Sequence, residues 1–296
     1  MQYFANSHYR AYNVRRSLNR IRAWSEVKNY FEIQIIKGLC DGTIAKNLTD
    51  VASFLTYHNR PLQNIEPHNI HEWLLWERES NLKPSTFARR VITIKSFLTQ
   101  IGRGDLAAAI PKIKYQYYPK KRTLSVEDVN LLVKNCTNVF ERALILLLDD
   151  TGCRIQELLT LRKQDIQAQN GKVHLMVTGK TGTRPVRLVK TPNIALWLRN
   201  SVSRDEDLVF RGRGYNWGYW IFRRTRQKTG KSFHPHMFRH TKATEMSKLF
   251  TEAIVKQYMG WSKDSKMMKF YTHLSARDID AAIDEKIKSA PRARGQ

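Results

Sequence analysis

The chain has 296 residues, a length that favours two domains over one, and 42% of the residues are hydrophobic, which excludes a disordered protein. Lys and Arg number 51 against 26 Asp and Glu, so the net charge is +25 and nucleic acid is the expected partner. Apolar runs fall short of the roughly 20 residues of a membrane span and the N-terminus lacks a signal-peptide pattern, so we expect a cytoplasmic protein without membrane contact.

The first hundred residues show the periodicity of α-helices. Apolar positions recur at helical spacing over 24–39 and 48–55, and Pro67 opens a third predicted helix. A fourth follows Pro84, with Ser85 as its predicted N-cap. We therefore expect a small all-α domain over 1–110.

A basic segment over 111–122 separates this domain from the next. It carries five basic residues and no acidic one, with three tyrosines between two prolines, which favours an extended chain. A solvated linker and a strand lying along a phosphate backbone both fit the pattern, and we favour the second. The basic residues are Lys112, Lys114, Lys120, Lys121 and Arg122.

The second domain is predicted over 123–275. Ser125 and Asp128 form a capping-box pattern, and apolar helices follow over 140–148 and 155–161. The period then changes to that of strands over 173–178 and 186–189, on either side of a turn over 179–182. Helical patterns resume after Pro192, so the fold class is mostly α with a small β-hairpin or sheet.

Two patterns resemble cofactor-binding motifs, but each lacks a residue that the motif requires. Gly179-Lys180-Thr181 lacks the glycine that a phosphate-binding loop needs five positions earlier, where His174 stands. His236 and His240 are one helical turn apart, but Met237 occupies the position where a zinc protease needs glutamate. We therefore expect no cofactor and no metal.

Arg154 follows directly on an apolar helix at a glycine-broken junction, so its guanidinium is expected near the domain interior, where it needs an anion. Glu157, one turn on, is a plausible partner, and a purely structural ion pair would satisfy both. Tyr271, beside Phe270, is by itself more typical of a core residue than of a nucleophile.

Taken together and in order, five motifs resemble those of the tyrosine recombinase (integrase) superfamily, in particular its Xer-like and phage- or plasmid-integrase branch. They are Gly152-Cys153-Arg154-Ile155-Gln156-Glu157-Leu158, Lys180 on a hairpin, His236-Met237-Phe238-Arg239-His240, Met259-Gly260-Trp261 and Tyr271-Thr272-His273. Trp261 stands where many Xer-like members have histidine.

The resemblance implies a helical, SAM-like core-binding domain followed by an α+β catalytic domain. It implies a catalytic set of Arg154, Lys180, His236, Arg239, Trp261 and Tyr271, with Glu157 and His240 supporting it. Tyr271 would attack a phosphodiester to form a 3′-phosphotyrosine, with His236 helping to remove its proton and Lys180 protonating the departing 5′ oxygen.

The expected partner is double-stranded DNA carrying specific recombination sites, bound by a homo-tetramer in association with the nucleoid. From Arg211 to Lys231 there are seven basic residues and no acidic one, with aromatic residues among them, and we expect Arg211, Arg213, Arg223 and Arg224 to contact DNA. An apolar stripe in the tail over 276–296 predicts a helix that docks on a neighbouring protomer or on its own body.

Two other functions stay open at this point. One is a DNA relaxase resembling type IB topoisomerases, which would use the same chemistry without assembly. The other is a catalytically inert DNA-binding protein of the same fold.

Overall fold

The computed structural model describes residues 24–113, 122–179 and 181–271. The chain divides into two compact units between residues 117 and 118, and each has its own hydrophobic core. Lys114, Lys120, Lys121, Lys180 and the predicted helix in 276–296 lie outside the described residues, and the predicted domain boundaries remain predictions. Within the described ranges, no helix combines the length and apolarity needed to cross a membrane.

The first unit is helical throughout its described part, as predicted. Its helices are α1 (Trp24–Ile36), α2 (Asp41–His58), α3 (Pro67–Glu79), α4 (Pro84–Gln100) and α5 (Gly104–Ala109), with a 3₁₀ turn at Leu62–Asn64. Edge-to-face aromatic pairs fill its core, with Tyr30 against Phe97 and Phe54 against Trp73.

One predicted helix start was wrong by two residues. Lys83, not Ser85, is the N-cap of α4, and Pro84 occupies the first helical position. Proline suits that position because its φ is already helical and its missing N–H would have no partner there.

The second unit combines seven helices with one antiparallel sheet in its described part. Its helices are α6 (Val126–Lys134), α7 (Val139–Thr151), α8 (Ile155–Leu159), α9 (Pro192–Asn200), α10 (Tyr215–Thr229), α11 (Pro235–Leu249) and α12 (Glu252–Met259). The strands are β1 (Ile166–Gln169), β2 (Lys172–Gly179) and β3 (Gly182–Arg187), in the order β1-β2-β3. Short 3₁₀ helices span Lys163–Asp165 and Lys266–Phe270.

The hairpin was predicted with its second strand too late in the chain. Gly179 pairs with Gly182 across the turn, so β3 begins at the turn itself and Val186 pairs with Leu175 near its end. Strand β1 was not predicted, because Ile166 is its only buried residue and a single apolar position gives no alternation to detect.

Two polar contacts anchor α6 and α7. The predicted capping box is present, since the Ser125 hydroxyl accepts the Asp128 N–H at 3.3 Å. At the end of α7 the buried Asp150 carboxylate accepts the backbone N–H groups of Val189, Lys190 and Thr191. These bonds fix the segment after β3 against the helix that leads into the Arg154 motif.

Candidate active site

A glycine turn sets the Arg154 segment against α11. Gly152 ends α7 in the left-handed backbone conformation, with φ of 61°. A Cβ there would lie 2.5 Å from the Lys242 Cβ and 3.5 Å from the Arg239 Cα, so this close approach requires glycine. Arg154 follows as the N-cap residue of α8.

The Glu157 carboxylate is shared by two arginines. Its Oε1 accepts hydrogen bonds from Arg154 Nη1 at 2.7 Å and Arg184 Nη1 at 3.2 Å. Its Oε2 accepts the Arg154 backbone N–H at 2.8 Å and Arg184 Nη2 at 3.0 Å. Burial opposes ionisation of Glu157, but the hydrogen bonds and charges of both arginines outweigh it, so the pKa of this carboxyl is lowered.

The predicted partnership of Glu157 with Arg154 is therefore present, and Arg184 is a second partner that was not predicted from the sequence. Its side chain, on β3, is only 8% exposed. A signal for it existed, because Arg184 lies two residues before the inward-facing Val186 and shares its side of the strand.

Arg239 lies buried on α11, with 6% of its surface exposed. Its guanidinium donates to the carbonyl oxygens of Gly152 and Met259 and lies over the Trp261 ring, 5.8 Å from its centroid. Burial, and then the positive charge of Arg154, lower its pKa to about 10. The group is still charged at neutral pH, and cations held this way attract an anion.

Tyr271 lies directly after the 3₁₀ helix Lys266–Phe270 and is 8% exposed. Its ring stacks on Trp261 with centroids 5.5 Å apart, and its hydroxyl lies 2.6 Å from His240 Nδ1. Burial raises the pKa of Tyr271 to about 12, opposed by the charge of Arg239. Because the hydroxyl keeps its proton at neutral pH, we assign it as the donor and Nδ1 as the acceptor.

The two histidines of the motif occupy different positions. His240 contacts the Tyr271 hydroxyl, whereas His236 lies one turn earlier on α11, with 6.3 Å between the two ring centroids. Desolvation by its surroundings, and then the charge of Arg239, lower the pKa of His236, which favours its neutral form. The hydroxyl contact expected of His236 belongs to His240.

The hairpin turn meets this site on both sides of residue 180. A Cβ on Gly179 would lie 2.7 Å from Glu157 Oε1, and the Thr181 hydroxyl donates to the Gly260 carbonyl at 3.2 Å. Lys180 is outside the described residues, so its role stays a prediction.

Tyr258 lies just before the Gly260 turn and is the tyrosine nearest in sequence to Tyr271, so it is the alternative candidate for a nucleophile. It is half-buried and packs both against the main core of the second unit and against the small cluster that contains Tyr271, and burial raises its pKa. Its backbone carbonyl accepts the Arg184 Nε–H at 2.8 Å.

Three of the arginines predicted to contact DNA lie against aromatic rings. Arg211 and Arg213 lie over Phe140, and the exposed Arg223 lies over the exposed Trp220. Such stacking holds a guanidinium in place while its edge stays open to an anion.

The remaining predicted DNA contacts differ in their surroundings. Arg224 donates to the Asn135 carbonyl and to the buried Glu141 carboxylate, so its charge is engaged within the fold. Arg122 pairs with Asp128, although half of its side chain stays exposed. Lys112 is exposed.

Two models of known protein families match the sequence of this chain. The model described as phage integrase family matches residues 122–277, and the model described as phage integrase, N-terminal SAM-like domain, matches residues 27–101. The chain belongs to the phage integrase family, within the tyrosine recombinase superfamily that its motifs resemble.

The relatives carry the same class of activity in their names. Tyrosine recombinase XerA of Saccharolobus solfataricus is 27% identical, with 83% of this chain and 87% of that protein covered. Tyrosine recombinase XerD of Halalkalibacterium halodurans is 26% identical, with 84% and 93% covered. The chain is a tyrosine-type site-specific recombinase, and neither the relaxase nor the inert alternative is favoured.

Solved structures share the fold. A XerH recombinase bound to its difH substrate matches with a TM-score of 0.64 and 19% identity, covering 96% of this chain and 89% of that one. A lambda integrase dimer bound to a core site matches with a TM-score of 0.63 and 14% identity, covering 84% and 77%. The predicted helical domain followed by a catalytic domain with a small sheet is confirmed.

We expect the Tyr271 hydroxyl to ionise at about pH 12 in the folded protein rather than near the usual value of about 10, because burial disfavours the phenolate. Since folding raises this pKa, the associated stability is present below a pH of about 10 and is lost as the pH rises toward about 12.

An ultraviolet difference titration of the full chain against Tyr271→Phe measures this ionisation, with circular dichroism reporting folding at each pH. A phenolate signal from Tyr271 at a pH of about 10 in the folded protein would contradict the buried hydroxyl.

Proposed function

We propose that this chain cuts and rejoins duplex DNA at specific sites through a 3′-phosphotyrosine intermediate, with Tyr271 as the nucleophile. The observation that carries the proposal is one contiguous cluster: the Tyr271 hydroxyl contacts His240, its ring stacks on Trp261, and Trp261 lies under the Arg239 guanidinium. A nucleophile, a proton acceptor and a fixed cation thus lie together.

Arg154 and Arg239 are the proposed ligands of the scissile phosphate. Attack on a phosphodiester places additional negative charge on the non-bridging oxygens, and guanidinium groups held in fixed orientation stabilise that charge without reorganising. Both arginines are held by hydrogen bonds within the fold, Arg154 to Glu157 and Arg239 to the Gly152 carbonyl. They are close enough that the charge of Arg154 lowers the pKa of Arg239. The Arg239 guanidinium lies over the face of the Trp261 ring, which helps to hold it in place.

In the proposed step the Tyr271 oxygen bonds to phosphorus while the bond from phosphorus to the 5′ oxygen breaks. His240 Nδ1 takes the hydroxyl proton at 2.6 Å, and Lys180 gives a proton to the departing 5′ oxygen, as the sequence predicts. One phosphodiester replaces another, so the reverse attack by a 5′ hydroxyl reseals the strand without an external energy source.

His236 has a different proposed task. Its ring lies one turn before His240 and within the field of Arg239 and Arg154, so it is suited to donate a hydrogen bond to the phosphate. We therefore assign proton removal to His240 and phosphate contact to His236.

The proposed partner is duplex DNA carrying recombination sites, bound by several protomers. A net charge of +25 favours a polyanion, and Arg211, Arg213, Arg223 and Lys112 are the described basic residues that we propose contact it. Among structural relatives, a lambda integrase tetramer is bound to a Holliday junction, which supports assembly on DNA as the working hypothesis. Action on the chromosome in the cytoplasm follows from the same proposal.

Replacing Tyr271 by phenylalanine should abolish covalent protein–DNA adducts while leaving DNA affinity nearly unchanged, because only the attacking oxygen is lost. The measurement is adduct formation on a labelled suicide duplex together with equilibrium binding to the same duplex. Tyr258→Phe is the matched control and should form adducts like the unmodified chain. Adducts formed by Tyr271→Phe and lost in Tyr258→Phe would assign the nucleophile to Tyr258.

Replacing His240 by alanine should slow cleavage about a hundredfold at neutral pH, because a positioned base contributes factors of that order. The remaining rate should rise with pH up to the ionisation of Tyr271, since solvent must then remove the proton. His236→Ala is the matched control on the same helix. Loss of a phosphate contact should lower its cleavage rate by a factor that does not change with pH. A pH-dependent deficit in His236→Ala and a pH-independent one in His240→Ala would exchange the two roles.

A further inference from the structure

Arg184 is a buried arginine that the mechanism above does not use. Its Nη1 and Nη2 donate hydrogen bonds to the two carboxylate oxygens of Glu157, and its Nε donates to the Tyr258 carbonyl. A Cβ on Gly260 would lie 2.9 Å from Arg184 Nη1, so the turn before Trp261 closes directly over the guanidinium. Arg184 therefore ties β3 to α8 and to the end of α12.

The charges around Glu157 give this arrangement a consequence beyond packing. Glu157 alone beside Arg154 would neutralise it, and the pair would offer no net charge to a phosphate. With Arg184 sharing the carboxylate, the three groups keep one net positive charge, and two of them, Glu157 and Arg184, are buried. The charge of Arg184 also reaches Arg239, whose pKa it helps to lower.

Geometry leads to the same conclusion. Each oxygen of Glu157 accepts one hydrogen bond from Arg154 and one from Arg184. Removing the Arg184 fork would leave the carboxylate free to turn toward Arg154 and bind it more completely. Arg154 would then be turned away from a phosphate, and the Glu157 carboxylate would neutralise its charge.

We propose that Arg184 is a positioning residue for DNA cleavage, which shares the Glu157 carboxylate so that Arg154 stays oriented toward the scissile phosphate and the three groups together keep a net positive charge. This inference rests on the proposed function. Arg184 is buried and bonds Glu157 and the Tyr258 carbonyl, so its proposed effect passes through Glu157 and Arg154.

The test is a double-mutant cycle on single-turnover cleavage of a suicide duplex, with half-site binding and melting temperature measured for each variant. Arg184→Gln should slow cleavage by about tenfold or more while half-site affinity changes by about twofold or less. Adding Glu157→Gln to Arg184→Gln should raise the cleavage rate again by about threefold or more, because the uncompensated carboxylate is then gone.

If Arg184 acted only as a structural clamp, adding Glu157→Gln to Arg184→Gln would lower the cleavage rate instead of raising it. The second substitution would then remove further hydrogen bonds and lower cleavage and melting temperature together. Arg187→Gln is the matched control, since it removes the same charge from the exposed side of the same strand and should cleave at about the original rate. Arg184→Lys keeps the charge but loses the bidentate fork, and should cleave faster than Arg184→Gln at similar affinity.

Cleavage by Arg184→Gln at the rate of the unmodified chain would overturn the inference, as would a double variant no faster than Arg184→Gln. If Arg184→Gln fails to fold, Arg184→Lys and its double variant with Glu157→Gln carry the test: Arg184→Lys cleaving at or below about a hundredth of the original rate would overturn it. An unmodified chain that forms no covalent adduct would instead overturn the proposed function, and this inference with it.

Discussion

The candidate site depends on the carboxylate of Glu157, which lies buried between two arginines and accepts hydrogen bonds from both. A buried carboxylate is costly unless it is paired and fully hydrogen-bonded, and here four donors meet its two oxygens. Because those donors come from α8 and from β3, one side chain fixes the start of a helix and the face of a strand together. The Gly152 turn and the Gly260 turn then bring α11 and Trp261 to the same place.

A second constraint concerns the nucleophile. Tyr271 is held between Trp261 and His240 in surroundings that raise its pKa, so the proton must be taken during the reaction rather than lost beforehand. The same burial brings the phenol within reach of the Arg239 charge, which favours the developing phenolate. Stability of the resting hydroxyl and stabilisation of the attacking oxygen thus come from adjacent groups.

Much of this site could be predicted from the sequence because its signals are local. The capping box at Ser125, the Gly152 junction and the pairing of Arg154 with Glu157 each lie within four residues of chain. Arg184 and the contact between His240 and Tyr271 depend on residues far apart in sequence, where spacing carries no information. Arg224 is similar: its contact with DNA stays a prediction, and its bond to a buried carboxylate 83 positions away could not be foreseen from the basic segment in which it lies.

The most direct test of the account is to identify the residue that carries the DNA. The full chain is trapped on a suicide duplex, digested with a protease and a nuclease, and the nucleotide-bearing peptide is sequenced by mass spectrometry. We expect a single modified residue, Tyr271, joined to the 3′ phosphate of the cut strand. A nucleotide on Tyr258 or another residue, or attachment through a 5′ phosphate, would contradict it.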